Sequence, residues 1–148
     1  MFGFSLFNSS FGSSFSYDKN LIKEFKKDHK KLVKILTKIV HEKDATTIKQ
    51  LFIVFRTEIL GHLLSEDIRL YKYLREYYKN NQNTLKLILE YEQSIKDIQK
   101  AVLNFIEFYT KNNVKFDDLF KTKLNSIIEA LLSRIETEEK NLYSLYVK

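Results

Sequence analysis

A chain of 148 residues is the size of one domain, long enough to bury a continuous core without staples and too short for a second domain. It holds no cysteine, which excludes disulfides and thiolate metal sites, and with no proline and three glycines it lacks the punctuation of sheets and tight hairpins, so helix is the default. A net charge of +6 permits attraction to anionic surfaces, but acidic residues are interspersed through most of the chain, and basicity alone identifies no partner.

Residues 1–17, MFGFSLFNSSFGSSFSY, read as a Phe/Ser-rich arm. It has no basic leader, and Asn, Gly and Ser interrupt it too often for a secretory core, which points to a cytoplasmic protein. Phe4, Phe7, Phe11 and Phe15 recur at helical spacing, so the arm is expected to pack on its own bundle or to dock on a partner or a membrane surface. No apolar run approaches the roughly 18 residues of a spanning helix.

From Asp18 onward apolar positions recur in steps of three and four, the pattern of helices packed at shallow angles. The first segment, about 18–41, has Ile22, Phe25, His29, Leu32, Leu36 and Ile39 on its inner line, with Asp18 as a cap. The second, about 46–79, runs through Ile48, Leu51, Phe55, Ile59, His62, Glu66, Arg69 or Leu70, and Tyr73. The third, about 83–111, runs through Thr84, Ile88, Tyr91, Ile95, Ile98, Val102, Phe105 and Tyr109. The fourth, about 115–146, runs through Phe116, Phe120, Leu124, Ile127, Leu131, Arg134, Glu138, Leu142 and Leu145. Short polar breaks make consecutive segments antiparallel neighbours, so residues 18–148 are expected to form an all-α, up-down-up-down four-helix bundle.

Counting residues outward from the turns places Tyr91 level with Arg134 and Glu138, and the other polar interruptions within about two helical turns, so all of them can share one layer. His62 and Glu66, and likewise Arg134 and Glu138, are four apart and so stack on one helix face. Such groups inside a bundle must be paired, protonated or bound to a metal. Imidazole and carboxylate suit iron, manganese or zinc, and facing helices are where such sites are built.

The motifs DHKKL at His29, HLLSEDIRLY at His62 and Glu66, LEYEQ at Tyr91 and SRIETEEKNLY at Arg134 and Glu138 resemble the hemerythrin-like, HHE cation-binding domains. That family places a His on its first helix, His-x-x-x-Glu on its second, a His on its third and His-x-x-x-Glu on its fourth. The resemblance implies His29, His62, Glu66 and Glu138 as metal ligands. It also marks two departures, Tyr91 and Arg134, where further histidines belong. A full diiron site draws on more histidines than remain here, so one iron ion, held mononuclear or weakly, is expected ahead of a dinuclear centre. Two arrangements compete: a single ion on His29, His62 and a carboxylate, or a metal-free layer in which the Arg134 guanidinium bridges Glu66 and Glu138. Tyr91 is expected to ligate ferric iron as phenolate or to hydrogen-bond a buried acid.

The function implied is a small bacterial regulatory or sensory protein and not an enzyme, since no nucleophile with its base and no phosphate loop is visible. The alternative is a metal-free module that binds another protein. The segment EALLSRIETEEKNLY is similar to one in bacterial anti-sigma regulators, four-helix bundles that sequester the housekeeping sigma factor. Lys23, Lys26, Lys27, Lys30, Lys31, Lys34 and Lys38 fall away from the first core line and read as a solvated face, with no nucleic-acid partner expected. Tyr71, Tyr73, Tyr77 and Tyr78, with Arg69 and Arg75, have the composition of a protein contact. His41 receives no functional role.

Overall fold

Each of four helical rods begins where a polar residue interrupts the apolar period, and three of those starts are capped by side chains. Asp44 Oδ2 accepts the Thr47 amide at 3.0 Å, Asn81 Oδ1 that of Thr84 at 3.1 Å and Asp117 Oδ1 that of Phe120 at 3.1 Å. The computed structural model describes residues 16–148, so the phenylalanines of the arm lie outside the described residues. The first rod is α1 (Leu21–His41). The second is α2 (Ala45–Glu66), continued by a π-helical turn (Asp67–Tyr71) into α3 (Lys72–Tyr77). The third is α4 (Gln82–Tyr109), and the fourth is α5 (Asp118–Thr137), followed by a second π-helical turn (Glu138–Leu142) and a 3₁₀ turn (Tyr143–Leu145). Each rod packs on two others, α1 on α2 and α5, and α4 on α2 and α5, which closes the bundle. Among the described residues there is no strand, and no helix is long and apolar enough to cross a membrane.

The ends differ from the sequence reading. Asp18 does not cap α1; its carboxylate accepts the Asn20 amide at 2.9 Å and pairs with Arg69 across the bundle at 3.0 Å. The third connection spans 110–117, with Asn113 at φ 65 in the left-handed region that asparagine tolerates, so α5 starts later than the spacing predicts. On α1 it is Leu21, not Ile22, that is fully buried, and on α4 Glu92 is buried while Tyr91, Ile95 and Ile98 are half-buried.

The core forms two apolar compartments. One contains Leu32, Leu36, Phe55, Ile59, Val102 and Leu131; the other contains Phe25, Leu70, Ile88, Leu142 and Tyr143. On three of the rods the polar interruptions fall between the two: His29 between Phe25 and Leu32, His62 and Glu66 between Ile59 and Leu70, Arg134 and Glu138 between Leu131 and Leu142. The tyrosines at the far end of the second rod are mostly used internally. The Tyr73 hydroxyl donates to the Val147 carbonyl at 2.6 Å and that of Tyr78 to the Leu145 carbonyl at 2.8 Å, which ties down the C-terminus and leaves Tyr77 exposed. The seven lysines of α1 are all exposed.

Candidate metal centre

His29, His62, Glu66 and Glu138, from α1, α2 and the π turn after α5, are all buried, and one ligand atom from each lies within 4.8 Å of the others. His29 Nε2 stands 3.1 Å from His62 Nε2 and 3.1 Å from Glu138 Oε1, while His62 Nε2 stands 3.4 Å from Glu66 Oε2. The outer nitrogens are held by carboxylates from neighbouring rods: His29 Nδ1 by Glu139 at 2.7 Å and His62 Nδ1 by Asp28 at 2.9 Å. These partners assign the proton to each Nδ1 and turn both Nε2 lone pairs inward, as carboxylates behind metal-binding histidines do. Acceptors then converge on one point, which only a cation or added protons can reconcile. Glu66 Oε1, buried and without a hydrogen-bond partner, carries the same message. Two imidazoles and two carboxylates on three rods therefore fit one metal ion.

With protons in place of a metal, the cluster perturbs itself. Burial alone would lower the His62 pKa, but the hydrogen bond and charge of Glu66, and then Asp28, outweigh it and raise it from 6.5 to about 9. His29 is also raised, burial being outweighed by Glu138 and Glu139. Burial pushes the Glu66 carboxyl up, yet His62 and Tyr143 hold it below its usual range, whereas burial and the Glu66 charge raise Glu138. Burial and the same two carboxylates drive the Tyr143 phenol well up. The raised His62 stabilises the metal-free fold fully below pH 6.5, and that contribution is lost as pH rises through about 9. Urea unfolding of metal-free protein is expected to show a lower midpoint above pH 9 than below pH 6.5, whereas metal affinity should rise over the same interval as the competing proton leaves.

Arg134 does not bridge Glu66 and Glu138 as the sequence reading allows. Its Nε donates to Glu138 Oε2 at 3.2 Å, and its Nη2 donates to the Tyr71 hydroxyl at 3.0 Å and to the Tyr91 carbonyl at 2.8 Å. Glu66 is out of this network and accepts instead from the Tyr143 hydroxyl at 2.6 Å. The phenol of Tyr91 takes no part either; the residue contributes its backbone oxygen and the ring face over which the guanidinium lies, 5.3 Å from the centroid. Arginine thus fills the side of the layer nearest α4, and that rod supplies no ligand.

Sequence reasoning misses Tyr71, Tyr143, Asp28 and Glu139. The two tyrosines had a signal: Glu66-x-x-x-Leu70-Tyr71 and Glu138-x-x-x-Leu142-Tyr143 share one spacing. In a regular helix a residue five past the glutamate leaves the core face. Here each glutamate adjoins a π turn, with Lys72 N–H on the Asp67 carbonyl and Tyr143 N–H on that of Glu138, so leucine and tyrosine both turn inward. The aspartate and glutamate beside the histidines offer no such periodicity, because each serves a histidine on another rod.

Among the described residues three spaces reach the layer, one of them a groove of about 490 Å³ over Tyr91 and Arg134. A cavity of about 30 Å³ touches His29, His62, Arg134 and Glu138 against apolar walls that include Phe55, Ile59 and Leu131. A groove of about 380 Å³ between α2 and α4 is lined by Glu66, Asp67, Tyr71 and Glu92, and the last of these pairs with Arg75 at 2.6 Å.

The family model described as hemerythrin HHE cation binding domain matches residues 20–146. No curated protein and no solved structure matches the chain.

Proposed function

Because the chain belongs to the hemerythrin HHE cation-binding domain family, we propose that it binds one iron ion through His29, His62, Glu66 and Glu138 and serves as a small regulatory or sensory protein. The observation that carries this reading is the convergence of four buried ligand atoms within 4.8 Å, with both histidines oriented from outside by carboxylates. Arg134 supports one ion in place of two, because a permanent cation next to Glu138 repels a second metal on that side. Bound iron would supply a Lewis-acidic, redox-active centre in the layer. The protein's own residues align the imidazoles, exclude bulk water with the two apolar compartments and keep a cavity of about 30 Å³ free for one water-sized molecule.

The placement of the ligands supports a sensory role. Three rods donate to one point, so occupancy couples their packing, and an ion that binds only the folded state stabilises it by mass action, about 2.7 kcal/mol at a hundredfold excess over Kd. Elemental analysis of protein purified with iron present is expected to give close to one iron per chain; a ratio well below one retires the proposal. The orienting carboxylates give a further expectation. Asp28→Ala and Glu139→Ala should each weaken metal affinity by roughly 10–100-fold without changing the stoichiometry at saturation, as read by competition with a chromophoric chelator.

A further inference from the structure

Tyr143 stands inside the ligand cluster and not beside it. Its hydroxyl oxygen lies 2.6 Å from Glu66 Oε2, 3.3 Å from His29 Nε2 and 3.5 Å from Glu138 Oε1. Its ring lies nearly parallel to that of His29, at an interplanar angle of 10°, and it is buried. The π turn after Glu138 brings it there, since a regular helix would direct position 143 elsewhere. Tyr71, the equivalent residue of the second rod, is engaged by the Arg134 guanidinium instead.

We infer that Tyr143 is a fifth protein ligand, binding ferric iron through its phenolate oxygen; the inference rests on the iron-binding reading above. In ligation the phenol O–H bond breaks and an oxygen–iron bond forms. The proton leaves along the 2.6 Å hydrogen bond to Glu66, whose carboxylate lines the groove between α2 and α4, and passes from there to water. No electron is transferred. Buried charge favours adding a phenolate for a trivalent ion: Arg134 offsets one of the two cluster carboxylates, and a Tyr143 phenolate restores the negative charge a third positive charge on the metal calls for. The complement of two nitrogens and three oxygens is hard, and it distinguishes ferric iron from softer metals.

The test loads the full chain with ferric citrate and reads iron content and the visible spectrum together. Wild type is expected to hold close to one iron with a phenolate-to-iron charge-transfer band, Tyr143→Phe to keep the iron and lose the band, and Tyr71→Phe to keep both. One iron per chain without the band overturns Tyr143 as a ligand and leaves the iron site standing. Persistence of the band in Tyr143→Phe also overturns it. Absence of iron from wild type overturns both readings. Should Tyr143→Phe fail to fold, resonance Raman on protein with ring-deuterated tyrosine decides: tyrosinate modes that survive in Tyr71→Phe and Tyr91→Phe support Tyr143, and their absence from wild type overturns it.

Discussion

His62→Ala is expected to abolish metal binding, taking the iron content from close to one per chain to near zero. Only His29 and His62 bring nitrogen to the cluster, and their Nε2 atoms stand 3.1 Å apart. Losing one leaves a single imidazole and two carboxylates, and the affinity should fall by more than the roughly 10–100-fold that follows loss of an outer-shell partner. The substitution also acts without metal. Glu66 is 1 % exposed, has one oxygen without a partner, and would keep only the Tyr143 hydroxyl on the other. Leaving a buried acceptor so poorly served costs about 1–3 kcal/mol. Asp28, half-buried at the margin, turns to water at little cost. His41→Ala is the control: its side chain is exposed at the last residue of α1, and neither iron content nor unfolding midpoint should move. A His62→Ala protein that still binds one ion per chain would remove His62 from the ligand set.

The bundle and its polar layer were legible because both follow from period. Steps of three and four fix which residues point inward, and an imidazole or carboxylate on an apolar line, as at His29, His62, Glu66 and Glu138, is conspicuous. The spacing of four then predicts which pairs share a face. What period cannot show is a change of period. Tyr143 and Tyr71 enter the layer through π turns, and a reading at 3.6 residues per turn leaves Tyr71 in a surface cluster and gives Tyr143 no role. Contacts across rods are equally hidden. Asp28 and Glu139 follow no inner line, and their partners are fixed only when α1, α2 and the end of the fourth rod meet. Arg134 shows the limit of chemical reasoning at this level. Its need for acceptors was evident, but one of them is the backbone oxygen of Tyr91, which no sequence pattern announces.

Arg134→Met is expected to separate the two things this guanidinium does. In the metal-free protein it removes three hydrogen bonds, to Glu138, Tyr71 and the Tyr91 carbonyl, from a residue that is 6 % exposed. Methionine fills much of the volume but leaves Glu138 with His29 as its one remaining cationic partner, and breaking a buried pair costs up to about 3–5 kcal/mol. Against a total of about 5–15 kcal/mol for a domain, that is a large share, visible as a lower urea midpoint. Metal affinity should move the other way. Arg134 lies on the carboxylate that also faces the ion, so its positive charge opposes binding, and in a buried layer that repulsion is poorly screened. Removing it should tighten the binding of a divalent ion tenfold or more, so that added metal restores much of the stability the substitution took away. A variant destabilised without metal but unchanged or weakened in affinity would make Arg134 a structural filler and would undo the argument that it excludes a second ion. The opposed signs matter, because a general loss of packing lowers stability and affinity together, whereas a cation replaced by a cation lowers one and raises the other.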